Sequence, residues 1–219
     1  MTNCLRLRFW LILWLTASAV TGVLLWNDAY LDTRFFLATR EFIQAYPVPA
    51  VWAFFKFFGE VWVVGVLLGS MFVLYQRRSH SWLKLTRDHV VQTAAALVAP
   101  SLAGGVNGLI AITLGRFRPL TEAANNWVLF RGFDVGAKNL AFPSGHATLA
   151  FAAAAVLVYF QPQVKWFAIF LAGGCAFSRV AHGAHFYSDV IVGSVLGWTI
   201  AWWGVHLIWR VSVRLSARG

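Results

Sequence analysis

Apolar and polar residues in this chain do not alternate at the spacing of a half-buried strand. They segregate into long apolar runs separated by short polar or charged stretches. The runs cover residues 9–26, 50–75, 90–114, 143–160, 164–177 and 188–209. About 20 apolar residues cross a bilayer as a helix, so the pattern predicts an all-α polytopic membrane protein, a bundle of six transmembrane helices. Ala17-Ser18-Ala19 in the first run resembles a cleavage site for a signal peptide. The run continues past it to Trp26, longer than a signal core, and reads as a retained span.

Within the runs, Gly104/Gly108 and Gly193/Gly197 have the small-xxx-small spacing that lets a neighbouring helix approach closely. Asn107 is a candidate for a hydrogen bond between helices. Lys56 and Glu60 are four apart, on one face of the expected second span. They read foremost as a mutually neutralising pair near headgroup level, with Lys56 snorkelling outward, and otherwise as a functional pair.

Composition agrees with the pattern. Of 219 residues, 59% are hydrophobic and only 12% charged, where a soluble domain carries about 25% charged residues. The mean hydropathy is +0.66. The length accommodates one domain over residues 1–219 and leaves no room for a second. The net charge of +10 would suggest nucleic acid in a soluble chain, but no nucleic-acid motif accompanies it. The expected partner is the bilayer. Cys4 and Cys175 make neither a metal spacing nor a disulfide framework.

Charge also orients the bundle. Arg6, Arg8, the basic loop from Arg77 to Arg87, Lys165, Arg210, Arg214 and Arg218 fall on one face, which is therefore cytoplasmic and holds both termini. Residues 27–48, 115–142 and 182–187 become the outer loops, periplasmic if the membrane is the bacterial inner membrane. Arg116, Arg118, Arg131, Lys138 and Arg179 lie on that outer face against the bias, which favours a chemical role for them. At the same face Gly115-Arg116-Phe117-Arg118-Pro119 ends the third span and Pro143-Ser144-Gly145-His146 opens the fourth. Ser178-Arg179 closes the fifth, and His185 and Asp189 stand at the start of the sixth. Arginine forks match phosphate oxygens, and the helix entry at Ser144 and Gly145 offers free amides to an anion. His185 and Asp189, four apart, bring a carboxylate beside an imidazole. That pair either caps the helix or fixes a tautomer whose other nitrogen is nucleophilic.

These residues resemble the type 2 phosphatidic acid phosphatase superfamily, whose signature is Lys-x6-Arg-Pro, Pro-Ser-Gly-His and Ser-Arg-x5-His-x3-Asp. The second part is complete at Pro143-Ser144-Gly145-His146, and the third at Ser178, Arg179, His185 and Asp189. The motif-bearing core runs from about 107 to 200. In the first part Arg118-Pro119 is present, but Ala111 stands where the family has Lys. Arg116 and Lys138 are the candidates to replace that cation.

The resemblance implies an active site at the outer face and two-step phosphoryl transfer on a membrane lipid phosphate, with no cofactor and no metal. His185 would be the nucleophile, Asp189 its partner and His146 the general acid and base. Arg118, Arg179, Ser144 and the Gly145 amide would hold the phosphate. A lipid phosphotransferase of the same chemistry and a non-catalytic lipid-phosphate binding or transport protein stay open as alternatives.

Overall fold

The computed structural model describes residues 3–60, 65, 87–120, 130–136 and 140–216. Among them the regular elements are helices: α1 (Asn3–Ala45), α2 (Pro49–Phe57), α3 (Arg87–Leu114), α4 (Gly145–Phe160), α5 (Lys165–Ala181) and α6 (Tyr187–Ser216). Four stretches are long and apolar enough to cross a membrane: Arg8–Trp26, Val91–Leu114, Pro162–Ala181 and Tyr187–Arg214. The fifth apolar helix, α4, is shorter. Outward positions such as Ile12, Leu15, Phe167, Phe170 and Leu207 are exposed, the arrangement expected where lipid is the solvent.

Two expectations are corrected. Residues 27–45, read as part of an outer loop, continue α1 without a break. No Gly or Pro occurs between Val23 and Tyr46, so no strong breaker interrupts the helix, which stops just ahead of Pro47. The second span also begins as a short helix: α2 ends at Phe57 and the chain turns through Phe58–Glu60. Residues 61–64 and 66–86, which hold the rest of that span and most of the basic loop, lie outside the described residues, as does Lys138.

The core is built from small residues. Ala95, Ala99, Ala103, Ala152, Ala155 and Ala201 are buried together where α3, α4 and α6 meet, which brings backbones close and lets dispersion contacts accumulate. The expected Gly193/Gly197 contact is present. A Cβ at Gly197 would fall 2.0 Å from the Thr148 carbonyl oxygen, and one at Gly193 would fall 2.7 Å from that of Ser144. The earlier glycine pair behaves differently: Gly104 faces only the Leu149 side chain, and Gly108 has nothing within 4 Å of its would-be Cβ. The interhelical bond at Asn107 forms, with Thr148 Oγ1 donating to Asn107 Oδ1 at 2.8 Å.

Because the obstacle at Gly197 is backbone, Gly197→Ala must push α6 away from α4. A loss of about 1–3 kcal/mol is expected, read as a lower unfolding temperature in detergent. An unchanged transition would mean the helices can separate there at little cost.

Candidate active site

The helix ends carrying the motif residues meet at one end of the bundle. Gly115 closes α3 at φ +57, and a Cβ there would sit 2.2 Å from the Gly132 carbonyl oxygen. Only glycine fits both demands. The chain then runs extended: Arg116 forms an isolated bridge with Phe130, and the Ala141 amide donates to the Arg116 carbonyl at 3.0 Å. This turns the Arg116 side chain into the bundle.

Arg116 is fully buried between two carboxylates. Its Nη2 donates to Asp32 Oδ2 at 2.9 Å, and its Nη1 donates to Ser188 Oγ at 2.6 Å and to Asp189 Oδ1. The guanidinium stacks 4.4 Å from the Phe186 ring centroid. Both Nη groups are thus engaged by protein oxygens, which corrects the expectation that Arg116 replaces the cation absent at Ala111. Asp32 also accepts the Ser188 hydroxyl and, at 3.2 Å, the Ser188 amide. Burial pushes the Asp32 carboxyl above its ordinary range, while Arg116 and the Ser188 hydroxyl pull it back.

Gly183, at φ +71, turns the chain between α5 and α6 and leads to His185. His185 is buried, and its Nδ1 lies 2.7 Å from the Ala141 carbonyl oxygen. A carbonyl can only accept, so Nδ1 carries the hydrogen and Nε2 keeps its lone pair. The four-residue spacing offers Asp189 for that task as one of two readings, the other being a helix cap. In the structure His185 precedes the first turn of α6, Asp189 Oδ2 is 3.6 Å from Nδ1, and that oxygen accepts the Phe186 amide at 2.8 Å. A different acceptor produces the same tautomer.

Ser144 caps α4 without a side-chain cap bond, following the cis Phe142–Pro143 peptide. Its amide donates to the Asp189 carbonyl at 3.0 Å, tying the two helix starts together. Its Oγ is buried with no hydrogen-bond partner among the described residues. A buried hydroxyl left this way costs free energy unless a ligand satisfies it. The first amides of α4, beginning with Gly145, lack intrahelical acceptors and favour an anion at the same spot.

Arg179, in the last turn of α5, is buried and its Nε has no hydrogen-bond partner among the described residues. Its charge acts on Arg118 and on His146. Two arginines and an imidazole within electrostatic reach of one another favour a multiply charged anion. His146 Nε2 meets Glu60 Oε1 at 3.3 Å, and Glu60 meets Lys56 Nζ at 3.5 Å. Thus the structure gathers His185, His146, Asp189, Ser144, Gly145, Arg179 and Arg118, commits Arg116 elsewhere, and adds Asp32 and Glu60. The spacing of Glu60 from Lys56 within an apolar run was the available signal for Glu60, whereas Asp32 carried none. Among the described residues no three His, Cys, Asp or Glu side chains form a group able to hold a metal ion.

A family model described as the PAP2 superfamily matches residues 92–212. The fold is similar to the crystal structure of a transmembrane PAP2-type phosphatidylglycerolphosphate phosphatase from Bacillus subtilis, with TM-score 0.55 and 20% identity over 90% of this chain and 94% of that one. It is also similar to LpxE from Aquifex aeolicus, with TM-score 0.50 and 22% identity over 78% of this chain and 94% of that one. No curated protein matches the sequence.

Proposed function

The chain belongs to the PAP2 superfamily, and on that premise we propose that it is an integral-membrane lipid phosphate phosphatase, hydrolysing a phosphomonoester or diphosphate of a membrane lipid. The observation that carries the reading is the pairing of a His185 Nε2 lone pair, fixed by the Ala141 carbonyl, with a buried, unsatisfied Ser144 hydroxyl and the nearby Arg179. Such a site offers a nucleophile and an anion cradle together.

In the first step His185 Nε2 attacks phosphorus, the bond from phosphorus to the lipid oxygen breaks, and His146 gives that oxygen a proton. In the second, His146 takes a proton from water, whose oxygen attacks phosphorus as the P–N bond breaks, releasing phosphate. Arg118, Arg179, Ser144 Oγ and the Gly145 amide stabilise the charge on the equatorial oxygens, the main demand of phosphoryl transfer. Asp189, neutralised by Arg116, holds the loop at Phe186 beside His185. With these groups meeting the phosphate charge, the reaction proceeds without a metal.

An amphiphilic substrate is supported by the surroundings of the site. Phe151 packs with Ala147 and Phe186 beside the two histidines, and it forms the near end of an apolar cavity of about 550 Å³ that runs between α1, α4, α5 and α6 away from the site, toward Phe9 and Lys165. The remainder of the reading is a six-span bundle in the bacterial inner membrane, with cytoplasmic termini and the site at the periplasmic face. The basic residues at the opposite helix ends, Arg8, Lys165, Arg210 and Arg214, support that orientation.

The test is phosphate release by detergent-purified protein from phosphatidic acid, phosphatidylglycerol phosphate, undecaprenyl diphosphate and lipid A, with chelator present. Release from at least one lipid that persists in chelator is expected, and Ser144→Ala should lower it by about 10^2-fold. Absence of release from every lipid, or its loss on chelation, would overturn the reading.

A further inference from the structure

The turn after α2 approaches His146 more closely than a headgroup-level ion pair needs to. A Cβ on Gly59 would lie 2.9 Å from both Cβ and the carbonyl oxygen of His146, and 2.6 Å from Cys175 Sγ. Only a residue without a side chain lets the turn settle there. It delivers Glu60 Oε1 to 3.3 Å from His146 Nε2 while Lys56 Nζ stays 3.5 Å from the same carboxylate oxygen. The carboxylate, being ionised, can only accept, so His146 presents its hydrogen on Nε2.

We propose that Glu60 is a positioning residue for His146: its carboxylate accepts from Nε2, orients the ring and stabilises the protonated imidazole, the form able to give a proton to the leaving oxygen, and Lys56 tempers the charge of Glu60. The proposal rests on the reading of His146 as general acid. The groups facing His146 are Glu60 with Lys56 from the end of α2, Arg179 from α5 and His185 from the turn before α6, with Arg118 behind Arg179. Arg179, with Arg118 behind it, repels a positive charge on His146. Glu60 supplies the negative charge that offsets them. A carboxylate at hydrogen-bond distance both orients the ring and favours its charged form.

The test is the pH profile of kcat/KM for phosphate release in wild type, Glu60→Gln, Glu60→Asp and Lys56→Gln, with thermal unfolding measured alongside. The alkaline limb reports loss of the His146 proton in the free enzyme. Removing the carboxylate should move that limb to lower pH by about one unit, with kcat falling about tenfold. Removing the Lys56 cation should move it to higher pH, and Glu60→Asp should restore it toward wild type. A purely structural role for the turn predicts lower activity in both substitutions with no movement of the limb. That result, or movement of both in one direction, overturns the proposal while wild-type release keeps the phosphatase reading intact. Should Glu60→Gln fail to fold, Lys56→Gln and Glu60→Asp still decide through the direction of their limbs. If the wild type releases no phosphate at all, the reading of His146 falls first and this role falls with it.

Discussion

His185→Ala should abolish phosphate release, by on the order of 10^4-fold or more, because nucleophiles that act as one unit with their neighbours are not replaced piecemeal. The ring is buried and held by one strong acceptor, with Nδ1 at 2.7 Å from the Ala141 carbonyl. Only Nε2 is therefore available to phosphorus. The measurement is twofold: phosphate released from a responsive lipid, and radiolabelled phosphate retained on the protein after an alkaline quench, under which a phosphohistidine survives. Wild type should retain label and the variant none. His146→Ala offers the contrast. It lacks the proton for an alkoxide leaving group yet keeps the nucleophile, so an aryl phosphate, whose leaving group needs no proton, should still label it. Near-normal release by His185→Ala, or label on a different residue, would remove His185 from its role.

The parts of the site readable in the sequence are those that one helix end states by itself. Pro143-Ser144-Gly145-His146 announces a helix entry, and Ser178-Arg179 and His185 to Asp189 flank one tight turn; each group lies within a few residues of its neighbours. Asp32 and Glu60 reach the site across long separations, from α1 to Arg116 and from the end of α2 to α4. Periodicity reports which face of a helix a residue occupies and says nothing of which helix that face meets. The misreading of residues 27–45 has a similar cause. Asn, Asp and Thr are weak helix formers, but α1 is fixed by burial of Phe36 against Phe186 and of Asp32 against Arg116, and tertiary contacts override such propensities. The spacing of His185 and Asp189 allowed either a helix cap or a fixed tautomer; in the structure Asp189 accepts the Phe186 amide, and the Ala141 carbonyl accepts from His185. The carbonyl that does the work comes from Ala141, on a segment whose path is set by the turn at Gly115.

Arg116→Met should be the most destabilising single change in this network. It leaves Asp32 and Asp189 buried, each with no side-chain exposure, beside an apolar thioether. Breaking one member of a buried ion cluster costs about 3–5 kcal/mol because the remaining charge stays uncompensated. In detergent this should appear as a large fall in unfolding temperature. The effect should also reach catalysis, because Asp189 receives Arg116 on one carboxylate oxygen and the Phe186 amide, next to His185, on the other. Asp32→Asn alone should be milder: the amide oxygen can still accept from Arg116 and Ser188, and Asp189 remains to balance the guanidinium. The double variant discriminates. If the cluster acts as one electrostatic unit, Asp32→Asn in the Arg116→Met background removes one of two stranded carboxylates and should recover part of the lost stability, so the two changes fall short of additivity by about 1–3 kcal/mol. Strict additivity would mean that Arg116 acts through its packing on Phe186 and not through charge. Recovery of stability without recovery of phosphate release would separate two roles of Arg116, balancing α1 against the bundle and holding Asp189 where the loop before α6 needs it.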